Sequence, residues 1–206
     1  MPEQASQHPI PVVTQYATPG LICAIAYQGH PAGDDPGWRT SGAPDQQTYA
    51  YWCRRWCGMA CMRMALIARD GNAPTLYALL HVALKYGVYI QSSDGTVGGL
   101  FYRPFTEFAA DTFSLRAEVI TDLTPDRLAA ETGAGRLVIA SVHKEIRQPD
   151  KDAPGRGGHL VLVTHHRDRN VHFRNPSGHS PETVDAALTM QTFDRFAAHR
   201  GIALYI

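Results

Sequence analysis

The stretch YWCRRWCGMACMRMAL, Tyr51 to Leu66, sets three of the chain's four cysteines, Cys53, Cys57 and Cys61, at intervals of four residues. Three readings compete: metal ligands, small residues on one face of a buried helix, or one nucleophile and two bystanders. Metal ligation fails on geometry, because residues at i, i+4 and i+8 of a helix lie along a line about 12 Å long at 1.5 Å per residue. Three such thiols do not converge on one ion, and zinc sites usually draw paired cysteines from a tight turn. No metal or cofactor is expected. Burial of all three fits the general behaviour of free cysteine. A nucleophile instead needs a thiol at a helix amino terminus, where unpaired N–H groups and the positive end of the macrodipole favour the thiolate. The segment from Asp45, a capping residue, to Asp70, closed by Gly71, reads as helical, with Met59, Met62, Met64, Leu66 and Ile67 as its apolar face. For Cys57 to begin a helix, that segment must break near Arg54 to Trp56, although no Gly or Pro marks the break. Continuous helix there counts against Cys57.

Composition bounds the rest. A chain of 206 residues with 44% hydrophobic residues holds one domain with a substantial core, taken as residues 1–206. Lys and Arg number 19, as do Asp and Glu, and no like-charge run appears, so neither nucleic acid nor a membrane surface is an expected partner. The amino terminus MPEQASQHPIPVV has no charged n-region and apolar h-region, and no apolar run is long enough to span a bilayer. A cytoplasmic protein is the expectation. All four cysteines fall between Cys23 and Cys61, a poor framework for cross-linking, so reduced thiols are expected. Oligomeric state is left open.

The elements follow from pattern and punctuation. Thr18-Pro19 starts a helix through LICAIAYQ, and GHPAGDDPGWRTSGAPDQQ, dense in Gly, Pro and Asp, is a surface loop over about 29–46 for which a lid is the simplest role. APTLYALLHVALKYG is a helix with an apolar stripe at Leu76, Leu79, Leu80, Ala83 and Leu84. Strand-like runs are Val88 to Gln91, Leu115 to Ile120 and Arg136 to Val142, the last two separated by a Pro125-led helix. GGHLVLVTHH, the turn RDRN and VHFRNP form a hairpin; a helix around Phe193 precedes the closing strand IALYI. The predicted class is α+β, with helices first and a mostly antiparallel sheet in the second half.

The string CGMACMRMALIARDG, Cys57 to Gly71, resembles the nucleophile helix of papain-like cysteine peptidases, in particular the family that cleaves double-glycine leaders from bacteriocins. Cys57, Gly58, Ala60, Met64, Leu66 and Gly71 occupy the pattern's places, and Met59 stands where the family usually has proline. The resemblance implies a papain-like fold, a nucleophile helix packed against the sheet, and a general base on a downstream Gly-His strand. GGHLVLV supplies His159 for that role. An orienting Asn or Asp before Pro on the next strand is Asn175 of FRNPSG. With Asp168 and Arg169 as the turn, simple pairing sets Asn175 opposite Leu162, roughly 10 Å along from His159, so contact requires a bulge or shifted register.

In related peptidases an upstream glutamine completes the oxyanion hole. IPVVTQY matches the family segment and points to Gln15, with Gln47 as runner-up; position 51 is Tyr51 and carries no amide. Because Gln47 stands six before Cys53, that cysteine remains a secondary candidate. Cys61 is read as packing, and His165, His166 and His172 as solvated residues near the turn. Arg147 and Arg156, near His159 in sequence, could meet a substrate carboxylate but are read as solvated. The implied chemistry is acyl transfer through a Cys57 thioester on a peptide substrate, with hydrolysis preferred. The alternatives are an acyltransferase or amide-forming enzyme on the same fold, or a catalytically silent peptide-binding domain.

Overall fold

The computed structural model describes residues 8–206. Six strands form one antiparallel sheet in the order β1-β6-β2-β3-β4-β5. They are β1 (Arg116–Ile120), β2 (Leu137–His143), β3 (Gly158–Arg167), β4 (Asn170–Arg174), β5 (Asp185–Thr189) and β6 (Ala197–Tyr205). β2 lies inside the sheet and its first six residues are buried on both faces, which is why RLVIASV reads as continuously apolar. Leu137, Ile139, Leu160, Leu162, Ile202 and Leu204 face the amino-terminal helices. Val138, Val161, Val163, Val171 and Phe173 face the opposite way, into a second core with Leu128, Phe193 and Phe196.

The cysteine stretch is not one helix. α2 (Gln46–Trp52) starts on Asp45, whose side chain accepts from Thr48 N at 2.6 Å, and stops at a turn over 53–56. α3 (Cys57–Asp70) then begins at Cys57 and ends at Gly71, whose φ of 79° gives the left-handed stop. The break stands where the nucleophile reading required it. α3 packs on β3 and β2, and α4 (Leu76–Lys85) packs on α3 with Leu76, Leu79, Leu80 and Ala83 of the predicted stripe buried and Leu84 exposed.

Three expectations need correction. Val88 to Gln91 is no strand; only a single bridge, Gln91 to Val97, forms there. α5 (Tyr102–Phe113) and β5 have no counterpart in the reading of the sequence. The third correction concerns the loop over about 29–46. It folds into short 3-10 turns, Ala32–Asp34 and Trp38–Ser41, both packed on α2, and none of its residues lines the cavity described below. It is an anchor rather than a lid. Asp35, fully buried, accepts from Thr18 N at 3.1 Å, Thr18 Oγ1 at 2.5 Å, Tyr49 O–H at 2.5 Å and Gly37 N at 3.0 Å. The Tyr49 hydroxyl also accepts from Ala17 N at 2.9 Å. Thr18 thus spends its hydroxyl on Asp35 instead of capping the short helix after it. Burial acts to raise the Asp35 pKa, but these hydrogen bonds outweigh it and hold the carboxyl below its ordinary value.

Asp35→Ala removes one carboxylate and leaves several buried donors unpaired, so it is expected to cost about 3 kcal/mol. That corresponds to a Tm drop of roughly 10 °C for a chain of this size, read by thermal melting at neutral pH. An unchanged Tm contradicts the anchoring role. No helix among the described residues is long and apolar enough to cross a membrane.

Candidate active site

Cys57 is the first residue of α3, and no side chain caps that helix start. Three backbone N–H groups, of Leu160, Gly58 and Cys57, favour the charged sulfur. Desolvation is the larger effect and pushes the thiol up to about 11. Amide donation has the anticipated direction, but burial outweighs it. The glycine after Cys57 has a packing reason, since a Cβ at Gly58 would collide with Leu100 Cδ1 and crowd Leu160 and the Tyr89 hydroxyl at 3.1 Å.

His159 is the second residue of β3, reached through Gly157 and Gly158, whose φ values of 80° and 89° favour glycine. Only 5% of its surface is exposed. Its Nε2 lies 2.9 Å from Asn175 Oδ1 and 3.1 Å from Ser177 Oγ. Asn175 Oδ1 also accepts from Ser177 N at 3.0 Å. That backbone donor fixes which end of the amide faces the ring, so Nε2 carries the proton and donates it to Asn175. Nδ1 makes no hydrogen bond to a described residue and keeps its lone pair. Burial drives the His159 pKa down to about 4 against the raising effect of Asn175, so the ring is neutral at pH 7.

The contact between His159 and Asn175 depends on the hairpin register. His165 pairs with His172 as simple counting predicts, but a bulge between Val163 and His165 shifts the following pairs to Val163 with Phe173 and Leu162 with Arg174. The shift brings Asn175, 1% exposed, toward His159. Asp168 and Arg169 form the turn, with φ of 51° and 66°.

Gln15 is buried and pinned on both sides: its N–H donates to Pro176 O at 2.7 Å and its carbonyl accepts from Trp56 Nε1 at 2.6 Å. Side-chain Nε2 donates to Cys53 O at 2.8 Å, which leaves one N–H of the amide uncommitted. Gln47 is exposed and does not line the site. Cys53 is sealed, its thiol pushed up to about 12 chiefly by burial; it serves the site through its carbonyl. Cys61 is also sealed, with its thiol 3.7 Å from Leu160 O.

Gln15, Cys57, His159 and Ser177 line one cavity of about 590 Å³, closed on one side by residues 97–102 rather than by the 29–46 loop. Asn175 stands behind His159. Ser177 was missed in the sequence, although Ser two residues after Asn, closing an Asx turn, was a usable signal. Arg147 was misread: it is 6% exposed and lines the cavity. Arg156 donates to Ala197 O and lies outside the lining.

Neither a protein-family model nor a curated protein matches the sequence. Solved structures do. One, described as a C39-like peptidase from Bacillus anthracis, superposes with a TM-score of 0.53 at 14% identity, covering 74% of this chain and 89% of that one. The peptidase domain of Streptococcus ComA, a bi-functional ABC transporter, superposes with a TM-score of 0.50 at 12% identity, over 73% and 90%. The chain has the papain-like α+β fold seen in C39-like peptidase domains.

Proposed function

We propose that this chain is a cysteine peptidase that cleaves peptide bonds through a thioester on Cys57. The observation that carries the reading is the shared cavity: a half-buried thiol at an uncapped helix start and an imidazole with its Nε2 proton held by Asn175 open into the same space. Burial disfavours both the thiolate and the imidazolium, so in this reading the base acts during attack. His159 Nδ1 takes the S–H proton as Cys57 Sγ adds to the substrate carbonyl. The oxyanion is held by the Cys57 N–H and the uncommitted N–H of Gln15 Nε2. Collapse gives the leaving amine the proton from His159 and leaves the acyl group on sulfur. Water, activated by the same Nδ1, then releases the acid.

Gln15 suits this role because its backbone is clamped between Pro176 and Trp56, and Trp56 immediately precedes the nucleophile. The donor and Cys57 therefore keep a fixed relation despite their distance in sequence. The test is incubation of the purified chain with a proteome-derived peptide library and capture of new amino termini. A reproducible set of cleavages is expected; an unchanged library contradicts the reading.

A further inference from the structure

The cavity is unusually charged for this chain. Among its described lining residues are five cations, Arg54, Arg55, Lys144, Arg147 and Arg200, and no Asp or Glu, although the whole chain carries 19 of each sign. The five come from three separate places: the turn before α3, the short 3-10 turn Lys144–Arg147 that follows β2, and β6. Arg54, Arg55 and Arg147 each donate to a backbone carbonyl. Arg54 Nη2 donates to Ile25 O at 3.2 Å, and Arg55 donates to Tyr51 O with its guanidinium 4.2 Å over the Tyr51 ring. Arg147 Nε donates to Lys144 O at 2.9 Å, and its guanidinium lies 4.9 Å from the Tyr27 ring. Glu145, 3.6 Å from Arg147, offsets one charge and is itself bonded to Tyr27 O–H. Arg54, Arg55, Lys144 and Arg200 form no ion pair with a described residue.

Arg147 is buried and Arg55 half-buried, while Arg54, Lys144 and Arg200 are exposed at the rim; like charges gathered around one concave space raise the local concentration of anions. A guanidinium held by a carbonyl keeps its remaining N–H groups for a ligand, and its fork matches a carboxylate. We propose that the site selects peptides bearing Asp or Glu side chains beside the cleaved bond, the substrate supplying the counter-charge that the cavity lacks. The inference rests on the peptidase reading above, since the acyl chemistry of Cys57 is what makes the anion a peptide. It also gives the cluster of arginines and lysine a role that solvation alone does not, because Arg147 is buried against the site.

Two measurements test it. In the peptide library, Asp and Glu are expected to be enriched about tenfold within a few residues of the cleaved bond, the factor that one well-placed charge pair supplies. Cleavage without acidic enrichment, or with basic enrichment, overturns the inference while leaving the peptidase reading intact. No cleavage at all overturns both. The second measurement compares alkylation of Cys57 by anionic iodoacetate and neutral iodoacetamide, with partly exposed Cys23 as internal reference. The iodoacetate-to-iodoacetamide ratio is expected to be about tenfold higher at Cys57 than at Cys23 in low salt, and to fall as salt is raised. Arg54→Gln with Arg200→Gln is expected to bring the ratio down, which separates the cationic wall from any contribution of the imidazole. A ratio at Cys57 no higher than at Cys23, or one unmoved by the double variant, overturns the inference.

Discussion

Cys57→Ala is expected to abolish cleavage of the peptide library, by about 10⁵-fold or more, because no other described residue on the cavity wall can form the thioester. The fold should survive. Cys57 is half-buried at the first turn of its helix, with only part of its side chain against the core, so losing one sulfur is expected to cost about 1 kcal/mol and to move Tm by only a few degrees. The contrast with the neighbouring cysteines is the sharper part. Cys53 and Cys61 are fully buried, and their exchange for alanine leaves voids in the core. Both variants are expected to melt earlier than Cys57→Ala yet to retain turnover. Cleavage that persists in Cys57→Ala, or that vanishes only with Cys53, contradicts the assignment.

His159→Gln is expected to slow cleavage by about 10³-fold to 10⁴-fold. Glutamine can still donate to Asn175 Oδ1 but has no basic nitrogen, so the change removes proton transfer more than structure. Left alone with a pKa of about 11, the thiol would be ionised only to about one part in 10⁴ at pH 7. Residual reactivity in the variant should therefore climb roughly tenfold per pH unit toward that value. The same substitution bears on stability. His159 has its pKa lowered from 6.5 to about 4 by burial, so the unfolded chain takes up a proton first as pH falls. The associated stability is fully present above about 6.5 and is lost as pH drops through the window down to about 4. Its size is about 3 kcal/mol. His159→Gln lacks this contribution, and its melting temperature should fall less steeply than that of the native chain across the same window. Parallel slopes contradict burial of a neutral ring at this position.

Much of the site was legible because its parts sit in short local patterns. Cys57-Gly58 opens a stretch whose apolar spacing reads as a helix, and the double glycine before His159 marks the turn that delivers the ring. The break between α2 and α3 left no Gly or Pro in the sequence; it was inferred only because a nucleophile needs a helix start. The bulge at Thr164 was legible only as a requirement, since register is decided by what the tertiary contact demands. Other features had no local signature. α5 begins after Phe101 without a capping side chain, and β5, DAALT, has Thr189 alone of the β-branched and aromatic residues that favour a strand. The role of Asp35 was hidden inside a loop whose Gly and Pro content says only that it is irregular. The cationic wall was hidden more deeply, because Arg54, Arg147 and Arg200 are far apart in sequence and nothing in their spacing reveals that they meet.

The account turns on Cys57 being the one thiol that the site makes reactive. Limited alkylation with substoichiometric iodoacetamide at pH 7, mapped residue by residue by mass spectrometry and repeated with His159→Gln, measures this directly. The account predicts that the label falls on Cys57 well before Cys23, Cys53 or Cys61, and that the preference is lost in the variant. Labelling that reaches Cys23 first, or a Cys57 rate indifferent to the imidazole, would contradict it.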